Sequence, residues 1–123
     1  MTKILCIESA TEICSVCLSL DGEPHFLHEN REGNRHSEIL TILIENCLRD
    51  AGISMREIDA VAVSRGPGSY TSLRVGASVA KGICYALGKP LIAIDTLKSL
   101  AFGAKNQPDL AAADLFAAFI DAR

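Results

Sequence analysis

The run from Gly66 to Thr96, GPGSYTSLRVGASVAKGICYALGKPLIAIDT, constrains the fold more than any other part of this chain. A Gly-Pro-Gly turn opens it, a helix rich in small residues follows, and a short apolar strand closes it. A glycine-rich turn feeding a helix N-terminus presents outward N–H groups, which can hold a phosphate or a carboxylate. The helix behind the turn carries the stronger message. At about 100° per residue, Leu73, Gly76, Ala77, Ala80, Ile83, Cys84 and Leu87 share one arc. Val75, Val79 and Ala86 widen it, leaving Arg74, Ser78, Lys81 and Tyr85 as a polar strip. The arc spans about 200°, twice the ~100° stripe that packing on a single core requires.

A second helix, expected at His36–Ala51, has the same character. Ile39, Leu40, Leu43, Ile44, Cys47 and Leu48 lie on one broad side, with Ile42 beyond it. Its polar strip is Glu38, Thr41, Glu45 and Arg49. Each helix thus faces the sheet on one side and something else on the other. Gly76, Ala77 and Ala80 are small enough to let another helix approach. A further layer of the same chain is one possible cover. Few residues remain to supply it, which favours a protein partner.

The elements around these helices define the class. Lys3–Ile7 and Glu12–Leu20 read as strands, and Asp21-Gly22 is a hairpin turn returning a third strand over Glu23–Glu29. Arg31–Arg35 is a polar loop, and Ile58–Val63 a fourth strand. Pro90–Ile94 reads as a buried strand and Thr96–Ala104 as a third helix. Leu110–Ala113 is short and alanine-rich, and Leu115–Ile120 reads as a further strand. This order predicts an α/β fold, a mixed sheet with three antiparallel strands followed by βα units. Glycines Gly52 and Gly88 stand where the two helices should stop. Leu115–Ile120 either closes the sheet or marks the front part of a longer protein.

Composition narrows the function classes. Apolar residues make up 49% of the chain, enough for a core, but aromatics are only 5% and Trp is absent, so that core is aliphatic. Lys and Arg number 12 against 15 Asp and Glu, a net charge of −3. Such a balance suits a nucleic-acid role only through a partner, because phosphate contact needs a basic surface. No apolar run reaches the ~18 residues of a membrane span. The five cysteines, Cys6, Cys14, Cys17, Cys47 and Cys84, are odd in number and follow no signal peptide, which indicates free thiols in a cytoplasmic protein. Cys14 and Cys17 form a C-x-x-C. Three apart on a strand, they point to opposite faces, and no second pair completes a zinc site.

Candidate chemistry falls at two turns. Glu8-Ser9-Ala10-Thr11-Glu12 joins two strands with hydroxyls, amides and a carboxylate, and reads either as a phosphate-approaching turn or as a plain polar turn. Gly66, Gly68 and Ser69 belong to the glycine loop, with Ser69 and Thr71 as helix N-cap candidates. The loop lacks a Gly-Lys-Ser/Thr ending and the dinucleotide-binding glycine spacing. His36, Ser37 and Glu38 are consecutive on a helix and diverge by about 100° each, so they make no triad. His25 and His28 lie on opposite faces of a strand and make no metal pair.

Ile4-Leu5-Cys6-Ile7-Glu8-Ser9-Ala10, Arg35-His36-Ser37-Glu38 and the long run from Gly66 to Leu97 together resemble the TsaB (YeaZ) family. The likeness covers residues 3 to about 100, and Ile120-Asp121-Ala122-Arg123 resembles the family where its second domain starts. The resemblance implies an ASKHA (actin-like, ribonuclease H-like) fold, with a first domain over 1–108 and the start of a second over 109–123. It implies a non-catalytic scaffold in tRNA N6-threonylcarbamoyladenosine modification at adenosine 37, beside a TsaD-like catalytic subunit and a TsaE-like ATPase. It implies no cofactor on this chain alone, with ATP or ADP entering only in a fuller complex, and contact with tRNA only indirectly. The helices at 36–51 and 71–87 would then form a homodimer in isolation. Their interface residues would be His36, Ile39, Leu40, Leu43, Cys47, Leu73, Gly76, Ala77, Ala80 and Cys84. Catalytic relatives carry a His-x-x-x-His metal pair where Thr96 and Leu100 stand here, and leucine binds no metal. The competing expectations are a nucleotide- or metal-dependent hydrolase using Glu8 and the Gly66 loop, or a domain that only self-associates.

Overall fold

Alternating apolar residues near the N-terminus make a three-stranded meander: β1 (Lys3–Glu8), β2 (Cys14–Leu20) and β3 (Glu23–Asn30). The computed structural model describes residues 1–31 and 36–98. Asp21 and Gly22 both hold positive φ, 53° and 85°, in the tight β2–β3 turn that Asp-Gly favours. In the antiparallel β1–β2 ladder Leu5 opposes Leu18, Cys6 opposes Cys17 and Ile7 opposes Val16. Leu5, Ile7, Cys14, Val16 and Leu18 are buried, while the alternate positions Cys6 and Cys17 are half-buried on the other face.

Helix α1 (His36–Ala51) occupies the expected span. A 3₁₀ turn at Met55–Glu57 follows, where the Ser54 N–H donates to Glu57 Oε2 at 2.7 Å. That capped turn occupies the approach to the fourth strand, so β4 runs over Ala60–Gly66 rather than the expected Ile58–Val63. Helix α2 (Tyr70–Leu87) ends at Gly88 in the left-handed conformation, and β5 (Leu91–Asp95) completes the sheet. The strand order is β3-β2-β1-β4-β5, with β4 parallel to both β1 and β5. This is the mixed α/β sheet expected, three antiparallel strands and then βα units, consistent with an ASKHA-type domain. Residues 96–98 are helical, where the third helix was expected to start. The remainder of the expected Thr96–Ala104 helix, the expected Leu110–Ala113 and Leu115–Ile120 segments and the 108/109 boundary lie outside the described residues.

Helix α1 packs on β2 and β3, α2 packs chiefly on β4, and the two helices touch. Their shared core joins Leu5, Ile7, Val16, Leu18, Val61 and Val63 of the sheet to Leu40, Leu43, Ile44 and Cys47 of α1 and Ala80 and Cys84 of α2. Each fully buried leucine contributes about 1.5–3 kcal/mol. Burial corrects the reading of β5. Among the described residues the strand pairs only with β4, and Leu91, Ile92 and Ile94 are 37%, 40% and 39% exposed, so its apolar side chains are not buried as expected. No helix among the described residues is long and apolar enough to cross a membrane.

Candidate functional site

The strand ends bring the two chemistry-bearing turns together. Glu8 ends β1, Ser64 and Gly66 lie at the end of the adjacent parallel β4, and the Gly66–Ser69 loop turns back over the β1–β2 turn. The Ser69 N–H donates to the Ala10 carbonyl at 2.8 Å. The Ser9 hydroxyl, fully buried, donates to the Ser72 carbonyl at 2.8 Å. Glu8 Oε1 accepts from the Ala10 N–H at 2.8 Å, and Oε2 accepts from the Ser64 hydroxyl. Ser69 Oγ caps α2 by accepting from the Ser72 N–H at 3.5 Å.

Two glycines permit this closeness. A Cβ on Gly68 would stand 2.6 Å from the Ala10 carbonyl oxygen, and one on Gly76 would stand 2.3 Å from Ser9 Oγ. Gly76 is therefore small because Ser9 lies beneath it, within this chain. All five phosphate-loop candidates, Glu8, Ser9, Gly66, Gly68 and Ser69, do converge. The Ser9 hydroxyl, the Ser69 amide and both Glu8 carboxylate oxygens are nevertheless engaged inside the cluster. A carboxylate at its centre also repels an anion, so these groups as arranged do not fit a bound phosphate. Glu8 contributes, after burial, to holding the Cys14 thiol above its ordinary value.

Of the two positions that correspond to the catalytic relatives' metal pair, one is described. Thr96 is buried, and its Oγ1 has no hydrogen-bond partner among the described residues. It follows Asp95, which pairs with Gly66, so it borders the same cluster. Among the described residues no group of three or more His, Cys, Asp and Glu side chains could hold a metal ion. Leu100 lies outside the described residues. His36 is buried and its Nε2–H donates to the Thr11 carbonyl at 3.0 Å, latching the start of α1 to the β1–β2 turn.

The interface candidates divide by burial. His36, Leu40, Leu43, Cys47, Gly76, Ala80 and Cys84 are buried within the chain, where most of them belong to its own core and present no free surface. This corrects their assignment to a partner: the inner part of each wide apolar arc packs on the sheet and on the neighbouring helix. Ile39, Leu73 and Ala77 remain half-buried. Outside them runs an exposed row on α1, Glu38, Thr41, Ile42 and Glu45, and another on α2, Tyr70, Arg74, Ser78, Lys81 and Tyr85. Ile42 is 54% exposed and Tyr85 93%. The Arg74 guanidinium sits 5.4 Å from the Tyr70 ring centroid. The α1 row carries Glu38 and Glu45, with Arg49 a turn beyond, and the α2 row carries Arg74 and Lys81. Sequence periodicity located both strips, whereas Ser64 and Ser72, which close the cluster at the strand ends, gave no signal because Glu8 and Ser9, which they meet, are remote in sequence.

Comparison with known proteins agrees with this architecture. The family model for TsaD, tRNA N6-adenosine threonylcarbamoyltransferase, matches residues 30–123. The tRNA threonylcarbamoyladenosine biosynthesis protein TsaB of Haemophilus influenzae is 35% identical over 120 residues, covering 98% of this chain and 49% of that protein. TsaB of Escherichia coli is 38% identical over 104 residues, covering 83% of this chain and 44% of its own length. The chain thus spans about half the length of these curated relatives. Among solved structures, a Pseudomonas aeruginosa protein described as similar to peptidase YEAZ superposes with a TM-score of 0.83 at 31% identity. That match covers 89% of this chain and 50% of the other. With the five-stranded sheet, the paired helices and these matches in agreement, the chain belongs to the TsaD/TsaB (YeaZ) family of tRNA threonylcarbamoyladenosine biosynthesis proteins.

Proposed function

We propose that the chain is a non-catalytic scaffold of tRNA N6-threonylcarbamoyladenosine synthesis, with the α1–α2 layer as its docking surface for a TsaD-like catalytic subunit. The observation that carries this reading is the exposed helical layer, which presents Glu38 and Glu45 on α1 and Arg74 and Lys81 on α2. Half-buried Ile39, Leu73 and Ala77 lie between the charged rows and the core. The TsaD family model spans the stretch of this chain that holds α1, β4 and α2, so a TsaD-type protein has a corresponding segment. Two such layers placed antiparallel bring an acidic row against a basic one, which sets orientation and speeds encounter. A second copy of this chain can use the same surface when the partner is absent. A TsaE-like ATPase and the tRNA join through the assembled complex in the cytoplasm, since a net charge of −3 gives this chain little hold on phosphates.

Co-purification with a TsaD-type protein of the same organism tests the reading. The wild-type chain should retain it, and the R74E/K81E double variant, still folded by circular dichroism, should not. Equal retention by both, or none by the wild type, would refute the docking role. Metal- or ATP-dependent hydrolysis by the pure chain would instead support an enzyme.

A further inference from the structure

The face of the sheet turned away from α1 and α2 carries a feature unrelated to docking. Cys6 on β1 and Cys17 on β2 are directly opposite in the antiparallel register and occupy the same face. Both are half-buried free thiols, whereas Cys14, Cys47 and Cys84 are buried. Directly opposed residues have Cβ atoms about 4.5–5.5 Å apart. A disulfide needs about 3.5–4.5 Å, so closure takes only a small inward shift of two adjacent strands. Cys14, three residues away and therefore on the opposite, helix-packed face, cannot compete for Cys17 despite their C-x-x-C spacing.

We propose that Cys6 and Cys17 form a cross-strand dithiol, a site of reversible disulfide modification by small-molecule disulfides. In the first step the thiolate of one cysteine attacks the oxidant's S–S bond, forming a mixed disulfide and releasing one small thiolate. The second cysteine, its proton passed to solvent, then attacks the protein sulfur of that mixed disulfide and expels the other small thiolate. Two protein thiols are oxidised to one disulfide while one small disulfide is reduced to two thiols. Burial holds both protein thiols above their ordinary value, and the neighbouring Cys17 adds to the effect at Cys6, as two adjoining thiolates should. The pair therefore rests as thiols until an oxidant arrives. Once closed, it fastens β1 to β2 two residues before Glu8.

Treating the folded chain with oxidised glutathione, quenching with N-ethylmaleimide and mapping the peptides tests the assignment. The expected result is a Cys6–Cys17 linked peptide, with thiols titratable after unfolding falling from five to three, the five less the bonded pair. The bond should reopen with dithiothreitol. The C6S variant should stop at a stable glutathione adduct on Cys17, which reads the first step without the second. Five titratable thiols after treatment, a glutathione adduct persisting on wild-type Cys17, or a link that involves Cys14, Cys47 or Cys84 would overturn the proposal.

Discussion

Gly76 is the residue whose role the structure states most sharply. Any side chain there would meet Ser9 Oγ, whose hydroxyl holds the Ser72 carbonyl at the start of α2. Gly76→Ala should lower unfolding free energy by about 1–3 kcal/mol, the usual cost of overpacking, measured by denaturant titration. Combining it with Ser9→Ala removes the clashing atom, so the double variant should lose less than the two single losses added. Additive losses would show that the contact is not the cause. A second expectation concerns Cys47, whose thiol donates to the Val16 and Phe26 carbonyls. Burial first, and then the Cys17 charge, push it from 9.0 to about 11. The unfolded chain loses this proton at lower pH than the folded one. Stability is therefore unaffected by this group below pH 9 and falls as pH rises from about 9 toward 11. Cys47→Ala should flatten part of that alkaline decline, followed as unfolding midpoint against pH.

Among the elements, α1 and α2 separate core effects from docking effects. Leu43 and Ala80 are buried against the sheet, so Leu43→Glu or Ala80→Glu should unfold the domain, seen as lost cooperativity in thermal melts. Arg74→Glu with Lys81→Glu sits on the exposed row and should leave the melting transition within a few degrees of wild type. The helices were legible from sequence because their 3.6-residue periodicity and terminal glycines are local signals. The sheet was legible in order but not in detail. Strand β4 was displaced by a capped 3₁₀ turn that no periodicity announces, and β5, apolar enough to read as interior, pairs among the described residues only with β4. Long-range partners explain the remaining gaps. Glu8 with Ser64 and Cys6 with Cys17 depend on register, which a single sequence does not encode visibly. The same limit made the wide apolar arcs read as free surface, although most of that width packs on the sheet and the adjoining helix.

At the scale of the whole molecule, the question is what a chain half the length of its curated relatives can do alone. Of the groups expected to grip a phosphate, Glu8, Ser9 and Ser69 are hydrogen-bonded to Ala10, Ser64 and Ser72 of this same chain. Isothermal titration of the chain with ATP should accordingly give no saturable heat; a saturable isotherm would mean that the strand-end cluster opens to admit it. The β1–β2 turn also has mechanical standing. His36 at the head of α1 grips it at Thr11, while the first turns of α2 hold it through Ser9. One short turn is thereby bolted to the leading ends of both outer helices. Neither helix can slide along the sheet without dragging that turn, and through it the other helix. The outer layer should respond to a load as a single plate rather than as two independent rods.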